Sequence, residues 1–174
     1  MHLQDNEIYL RPLHLSDKFD LANIANNPNI AKNLRDGFPN PYTLADAEFF
    51  IEKIANNSSN YIFGIFHEQK YCGNIGIHPG SDVYCKSAEL GYFIGEKFWS
   101  RGIATRAVKL IIDYTFDKLD IVKIYAGIFE YNPASMKVLE KNGFKLEGIL
   151  RKSVYKNNKF YDEYRYGLVH PNIL

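Results

Sequence analysis

Six residues, Trp99-Ser100-Arg101-Gly102-Ile103-Ala104, join an apolar stretch to an amphipathic one, and their types suit the binding of an anion. Residues 88–95 (AELGYFIG) read as a buried strand, and from Thr105 onward apolar residues recur at helical spacing. A strand that feeds a helix through a turn of small residues aims several unpaired N–H groups and a positive dipole end at one point. That geometry holds phosphate or pyrophosphate, so the turn is a candidate docking place for a cofactor. The strand before it carries Glu89, two residues from Gly91. In extended chain Glu89, Gly91 and Phe93 share one face, opposite Ala88, Leu90, Tyr92 and Ile94. A carboxylate inside a central strand is costly unless it is paired or takes part in chemistry.

Other chemistries find less support. No G-x-x-x-x-G-K-[ST] occurs, and no G-x-G-x-x-G stands at a strand–helix junction, so the turn lacks the lysine and metal-binding hydroxyl of a phosphoryl-transfer site. The five histidines (His2, His14, His67, His78, His170) are dispersed, and no metal site is expected. His78, at a strand end, is the one placed to matter. Cys72 and Cys85 are too few for a disulfide framework and read as buried thiols. Lys+Arg 21 against Asp+Glu 20 leaves a formal charge of +1, which calls for neither nucleic acid nor an anionic membrane. Lys141, Lys145, Arg151, Lys152, Lys156 and Lys159 cluster near the C-terminus, but Glu140, Glu147, Asp162 and Glu163 interleave with them as on a solvated mixed face. No window resembles a signal peptide or a membrane span, and the expectation is a cytoplasmic protein.

The elements that must position these residues follow from pattern. A composition of 46% hydrophobic and 24% charged residues over 174 positions suits one globular domain, residues 1–174. Glu7-Ile8-Tyr9-Leu10-Arg11-Pro12 alternates and stops at proline, giving a first strand. Ser16-Asp17 caps a helix to about Ala25, with Phe19, Leu21, Ile24 and Ala25 as its apolar side. Residues 28–43 are irregular, with one helical turn near 30–34. Thr43-Leu44-Ala45-Asp46 opens a second helix through its hydroxyl–acid spacing, with Phe49, Phe50 and Ile54 inward and Asn56-Asn57-Ser58-Ser59-Asn60 closing it. Strands follow at 61–66, 71–78 and 88–95, then the amphipathic helix at 102–119 and a strand at 123–129. Asn132-Pro133 starts a helix that ends at Asn142-Gly143, and residues 144–155 and 160–169 form a hairpin turning at Asn157-Asn158. The order β-α-α-β-β-β-α-β-α-β-β is that of an α+β domain with a mixed sheet, and it excludes a doubly wound nucleotide fold.

Three ordered motifs carry a resemblance. AELGYFIGEKFWSRGIATRAVKLIIDYTF resembles the acetyl-CoA motif of the GNAT acyltransferases, whose (Q/R)-x-x-G-x-(G/A) falls on residues 99–104, with Gly102 and Ala104 matching and Trp99 at the first place. Ser100 stands where the related branch often has glycine. Asn132-Pro133-Ala134-Ser135 with Val138-Leu139-Glu140-Lys141-Asn142-Gly143-Phe144 resembles the family's N-x-x-S…vleKxGF segment. Leu146-Glu147-Gly148-Ile149-Leu150-Arg151 with Tyr161-Asp162-Glu163 is similar to the tail of the RimJ/RimL-type branch, which contains ribosomal-protein N-terminal acetyltransferases.

The resemblance implies a GNAT fold: a mixed, mostly antiparallel sheet of about seven strands flanked by four helices, with a V-shaped cleft between the central strands. It implies acetyl-CoA as donor, with coenzyme A released. Backbone groups of Phe93, Ile94 and Gly95 would pair with the pantetheine arm as an added strand does. The N–H groups of Arg101, Gly102, Ile103, Ala104 and Thr105 would wrap the pyrophosphate. Arg101 and Arg106 would offer side-chain charge, and Asn132 would either bond the pantetheine amides or cap its helix. The reaction is direct attack of an amine on the thioester carbonyl, with Glu89 as candidate base and Ser135 as candidate acid. The glutamate that RimL-type enzymes place in the penultimate strand falls near Val154 here.

Magnitudes bear on the acceptor. Near pH 7.4, a lysine amine with a pKa of about 10.4 spends roughly 4 kcal/mol to become neutral, against about 1 kcal/mol for an α-amine near pKa 8. A protein N-terminal α-amine is therefore the expected acceptor. The alternatives are a polyamine or aminoglycoside, for which Glu48, Glu52, Glu89, Asp162 and Glu163 could form an acidic cleft, and a non-catalytic acyl-CoA sensor. A homodimer is compatible with the resemblance, and the sequence leaves the oligomeric state open.

Overall fold

The computed structural model describes residues 3–55 and 61–173, so the expected helix closure at 56–60 lies outside the described residues, as does His2. The strands are β1 (Leu3–Asp5), β2 (Ile8–Arg11), β3 (Tyr61–His67), β4 (Lys70–Pro79), β5 (Ser87–Ile94), β6 (Lys123–Phe129), β7 (Lys145–Lys156) and β8 (Lys159–Val169). They form one sheet in the order β1-β2-β3-β4-β5-β6-β8-β7. Among the described residues every neighbouring pair is antiparallel except β5–β6, which is parallel. The helices are α1 (Lys18–Ala25), α2 (Pro28–Ala31), α3 (Leu44–Phe49), α4 (Ile103–Lys118) and α5 (Pro133–Lys141). The α+β mixed sheet is as expected, with β1 in addition; α2 overlaps the helical turn expected near residues 30–34.

β3 has little polar alternation because Ile62, Phe63, Gly64, Ile65 and Phe66 are all buried, as in a strand covered on both faces. α4 buries Ile103, Ala107, Val108, Ile111 and Ile112, the expected stripe, and packs against β1, β2, β4 and β5. The Thr43–Asp46 capping box forms in full. Beyond Phe49 the helix widens into a π-helical turn over Phe50–Ala55. In that wider turn residues four apart keep one face, so Ala47, Ile51 and Ala55 are buried while Phe49 is 60% exposed. Ile54 also faces outward, and Phe19 on α1 is 63% exposed, both contrary to expectation. Cys72 is buried as expected, but Cys85 lies exposed in the loop before β5.

β2 and α1 are tied together by Asp17. The two guanidinium ends of Arg11 donate to its carboxylate at 2.7 and 2.8 Å, and the His14 amide donates to it at 2.7 Å. Arg11 also lies over the Phe66 ring at 4.0 Å. Burial by itself would raise the Asp17 carboxyl, but the bonds from Arg11 and His14 outweigh it and hold the group below the ordinary carboxylate range. A depressed carboxylate contributes stability above its unfolded pKa, near 4, and loses it as pH falls further. Asp17→Ala should therefore cost about 2 kcal/mol in denaturant unfolding at pH 7 and much less at pH 3. An equal cost at both pH values would show that the ion pair is not what is lost.

Candidate active site

β5 has two unlike edges. On one side it pairs with β4 from Gly73↔Ile94 to Pro79↔Ala88. On the other it pairs with β6 only at Ser87↔Lys123, Ala88↔Ile124 and Glu89↔Tyr125. Past Glu89 the parallel ladder stops and a wedge opens. Backbone groups alternate direction along a strand. The Gly95 amide donates to the Cys72 carbonyl on β4 at 2.7 Å, so Gly91, Phe93 and Gly95 turn their backbone toward β4. Leu90, Tyr92 and Ile94 turn theirs toward the wedge. Of the three residues expected to pair with a bound arm, Ile94 turns its backbone toward the wedge, as Leu90 and Tyr92 do, whereas Phe93 and Gly95 turn theirs toward β4. The Ile94 carbonyl accepts from the Trp99 indole at 2.7 Å, which ties the turn to the end of the strand.

The turn itself is shaped for an anion. Ser100 (φ 60) and Gly102 (φ 73) both sit in the left-handed region, which explains why glycine suits either position. No side chain caps α4. Its first helical bond runs from the Arg106 amide to the Gly102 carbonyl at 3.2 Å, so the amides of Ile103, Ala104 and Thr105 have no acceptor within the helix. A Cβ built on Gly102 meets nothing within 4 Å, so the space before these amides is open. Arg101 is exposed, its guanidinium 5.9 Å from the centre of the Phe98 ring. Arg106 is not available as expected: its guanidinium donates to the Asp5 carboxylate at 3.0 Å and to the Asp5 carbonyl at 2.7 Å.

The two candidate acid–base residues come from opposite faces of the sheet. Glu89 closes the last rung of the parallel ladder and is ion-paired with Arg35, whose side chain is 70% exposed. Across the strand pair from it, the His78 ring lies beside Gly76 and Gly91. Partial burial lowers the His78 imidazole below its usual value; Glu89 opposes this and Arg35 adds to it. Ala88, Leu90 and Ile94 are buried on the other face, as expected. Tyr92 points that way too, and its hydroxyl meets the Ser135 hydroxyl at 2.7 Å. Burial pushes the Tyr92 phenol up to about 12, against the opposing effect of the hydrogen bond it shares with Ser135. Asn132 caps α5 by accepting the Ser135 amide at 3.3 Å, and its side-chain nitrogen keeps its donors for a ligand.

The sequence profile of the acetyltransferase (GNAT) domain matches residues 7–145. The chain belongs to the GNAT acetyltransferase family. It is similar to a probable N-acetyltransferase, YjcK of Bacillus subtilis, with 30% identity over 183 residues covering 98% of this chain and 98% of that protein. The solved spermidine N-acetyltransferase of Vibrio cholerae, in complex with CoA and spermine, superposes with a TM-score of 0.81 at 25% identity, covering 95% of this chain and 97% of that one. RimL, a ribosomal L7/L12 α-N-protein acetyltransferase solved with coenzyme A, shares the fold with a TM-score of 0.86 at 18% identity, covering 98% of each chain. Among the described residues no helix is long and apolar enough to cross a membrane.

Gly102→Asp would place a carboxylate in the open space before the α4 amides and strain the left-handed turn. It should lower affinity for coenzyme A at least a hundredfold by calorimetry; an intact affinity would remove the pyrophosphate from this turn.

Proposed function

We propose that the enzyme transfers acetyl from acetyl-CoA to a protein N-terminal α-amine by direct attack. Acetyl-CoA supplies the acetyl group on a thiol leaving group. The chain would hold it with the wedge-facing backbone of Leu90, Tyr92 and Ile94, the amides of residues 101–105, the Arg101 side chain and the Asn132 amide nitrogen. Glu89 takes the proton of the attacking amine, and Ser135 gives one to the departing sulfur. For the amine to reach Glu89, the exposed Arg35 must swing away from it.

The choice of acceptor rests on one observation: four of the five carboxylates that could serve a polycation are already ion-paired. Glu89 pairs with Arg35, Glu163 with Arg165 at 2.5 Å, Asp162 with Arg151 at 2.5 Å and Glu48 with Lys18 at 3.3 Å. Of the five acidic residues considered for such a cleft, Glu52 alone has no ion pair among the described residues, and it is exposed on the π-helical turn. A single α-amine needs to displace only Arg35, whereas a polyamine would have to displace several cations. The similarity to the spermidine N-acetyltransferase supports a polyamine as the second candidate.

Thiol release from acetyl-CoA should be fastest with short peptides bearing a free N-terminus, and slower with spermidine and aminoglycosides. A faster rate with spermidine would favour the polyamine, and binding without any thiol release would leave a sensor. Glu89→Gln should lower kcat/KM about a hundredfold at pH 7. The deficit should shrink as pH approaches the α-amine pKa near 8, where solution supplies the neutral amine. A pH-independent deficit would remove Glu89 as the base.

A further inference from the structure

The Tyr92 side chain spans the wedge. It leaves β5 on the buried face, beyond the point where β6 stops pairing, and reaches the first turn of α5, which follows β6 in the chain. Its hydroxyl lies 2.7 Å from Ser135 Oγ and 3.4 Å from the Ser135 carbonyl, so both acceptors within its reach belong to one residue. A phenol is a stronger acid than an alkyl alcohol and takes the donor part in a phenol–alcohol pair. Each hydroxyl has a single hydrogen. When the phenol donates to Ser135 Oγ, the serine hydrogen cannot point back at Tyr92 and must find another acceptor.

We infer that Tyr92 is a positioning residue for acetyl transfer: by donating to Ser135 Oγ across the wedge it directs the serine hydrogen to the departing sulfur. This rests on the assignment of Ser135 as the acid. In the step the C–N bond forms, the C–S bond breaks with its electron pair on sulfur, and the sulfur takes the Ser135 proton. Glu89 accepts the proton of the amine and passes it to solvent, which restores that of Ser135. Amine and thioester thus become amide and thiol with nothing else consumed. The elevated phenol pKa keeps Tyr92 protonated as a donor across the working pH range. Without the phenol, a serine in the first turns of a helix can rotate to bond a backbone carbonyl one turn back, which withdraws its hydrogen from the site.

The test is a double-mutant cycle on the full chain. Tyr92→Phe keeps the ring and should lower kcat about tenfold, with KM for both substrates and the calorimetric affinity for coenzyme A within twofold. Ser135→Ala should lower kcat at least as much, and the double variant should be no slower than Ser135→Ala. In the protein without ligand, Tyr92→Phe should lower the denaturant midpoint in the wild-type background but not with Ser135→Ala. Additive kcat losses, an unchanged kcat in Tyr92→Phe, a tenfold loss of coenzyme A affinity in it, or additive midpoints would each overturn the role of Tyr92 while leaving Ser135 as acid. An unchanged kcat in Ser135→Ala would instead remove Ser135, and the inference with it.

Discussion

The site depends on a backbone ladder that stops early. β5 is an internal strand, and an internal strand ordinarily satisfies its amides and carbonyls on both sides. Here the parallel partner is present for three residue pairs and then diverges, leaving backbone groups of Leu90, Tyr92 and Ile94 facing a wedge. Unpaired backbone is expensive when buried, and it is also a ready template for an extended ligand. The same strand ends at Ile94, whose carbonyl accepts from the Trp99 indole of the following turn, and the helix after that turn begins uncapped. One strand therefore offers an edge for an arm and, at its end, a cluster of amides for an anion.

Strand alternation then divides the chemistry. Glu89 and Tyr92 are three residues apart, so their side chains leave opposite faces of the sheet. The split between β5 and β6 is the place where groups on the two faces can act on one molecule. Segment 32–36 reaches elements on both sides of that split. The Lys32 carbonyl accepts from the Tyr131 hydroxyl at 2.7 Å, Arg35 pairs with Glu89, and Asp36 pairs at 2.5 Å with Lys156, whose side chain is only 10% exposed. The Asp36–Lys156 pair is anchored by a nearly buried ammonium that would be costly to leave alone. Arg35 is held by one exposed contact, so it is the member of the three able to yield to an incoming amine.

Much of this was legible in the chain itself. The apolar stripe of α4, the Thr43–Asp46 box, Pro133 at the start of α5, the stop at Gly143 and the hairpin turn at Asn157-Asn158 are local patterns, and each appears as expected. The inward faces of α1 and of the helix opening at Leu44 were legible only in part: Leu21, Ile24 and Ala25 are buried as expected, but Phe19, Phe49 and Ile54 point outward, because a π-helical turn and the seat of α1 on β4 set those faces. Of the site, the turn at residues 99–104 and the place of Glu89 could be read directly. The partners could not. Tyr92 meets Ser135 across 43 positions, Arg35 meets Glu89 across 54, and Arg106 meets Asp5 across 101.

The sequence by itself determined the α+β class, the turn of small residues before α4 and the residue types available for acid–base work, because periodicity, caps and turn chemistry act over a few residues. Tertiary structure alone decided which edge of β5 stays open, that Arg106 serves Asp5 rather than the turn, and that a tyrosine assigned to the apolar face carries its hydroxyl to Ser135. Those outcomes depend on strand pairing and on contacts between residues far apart in the chain, and no local pattern encodes either.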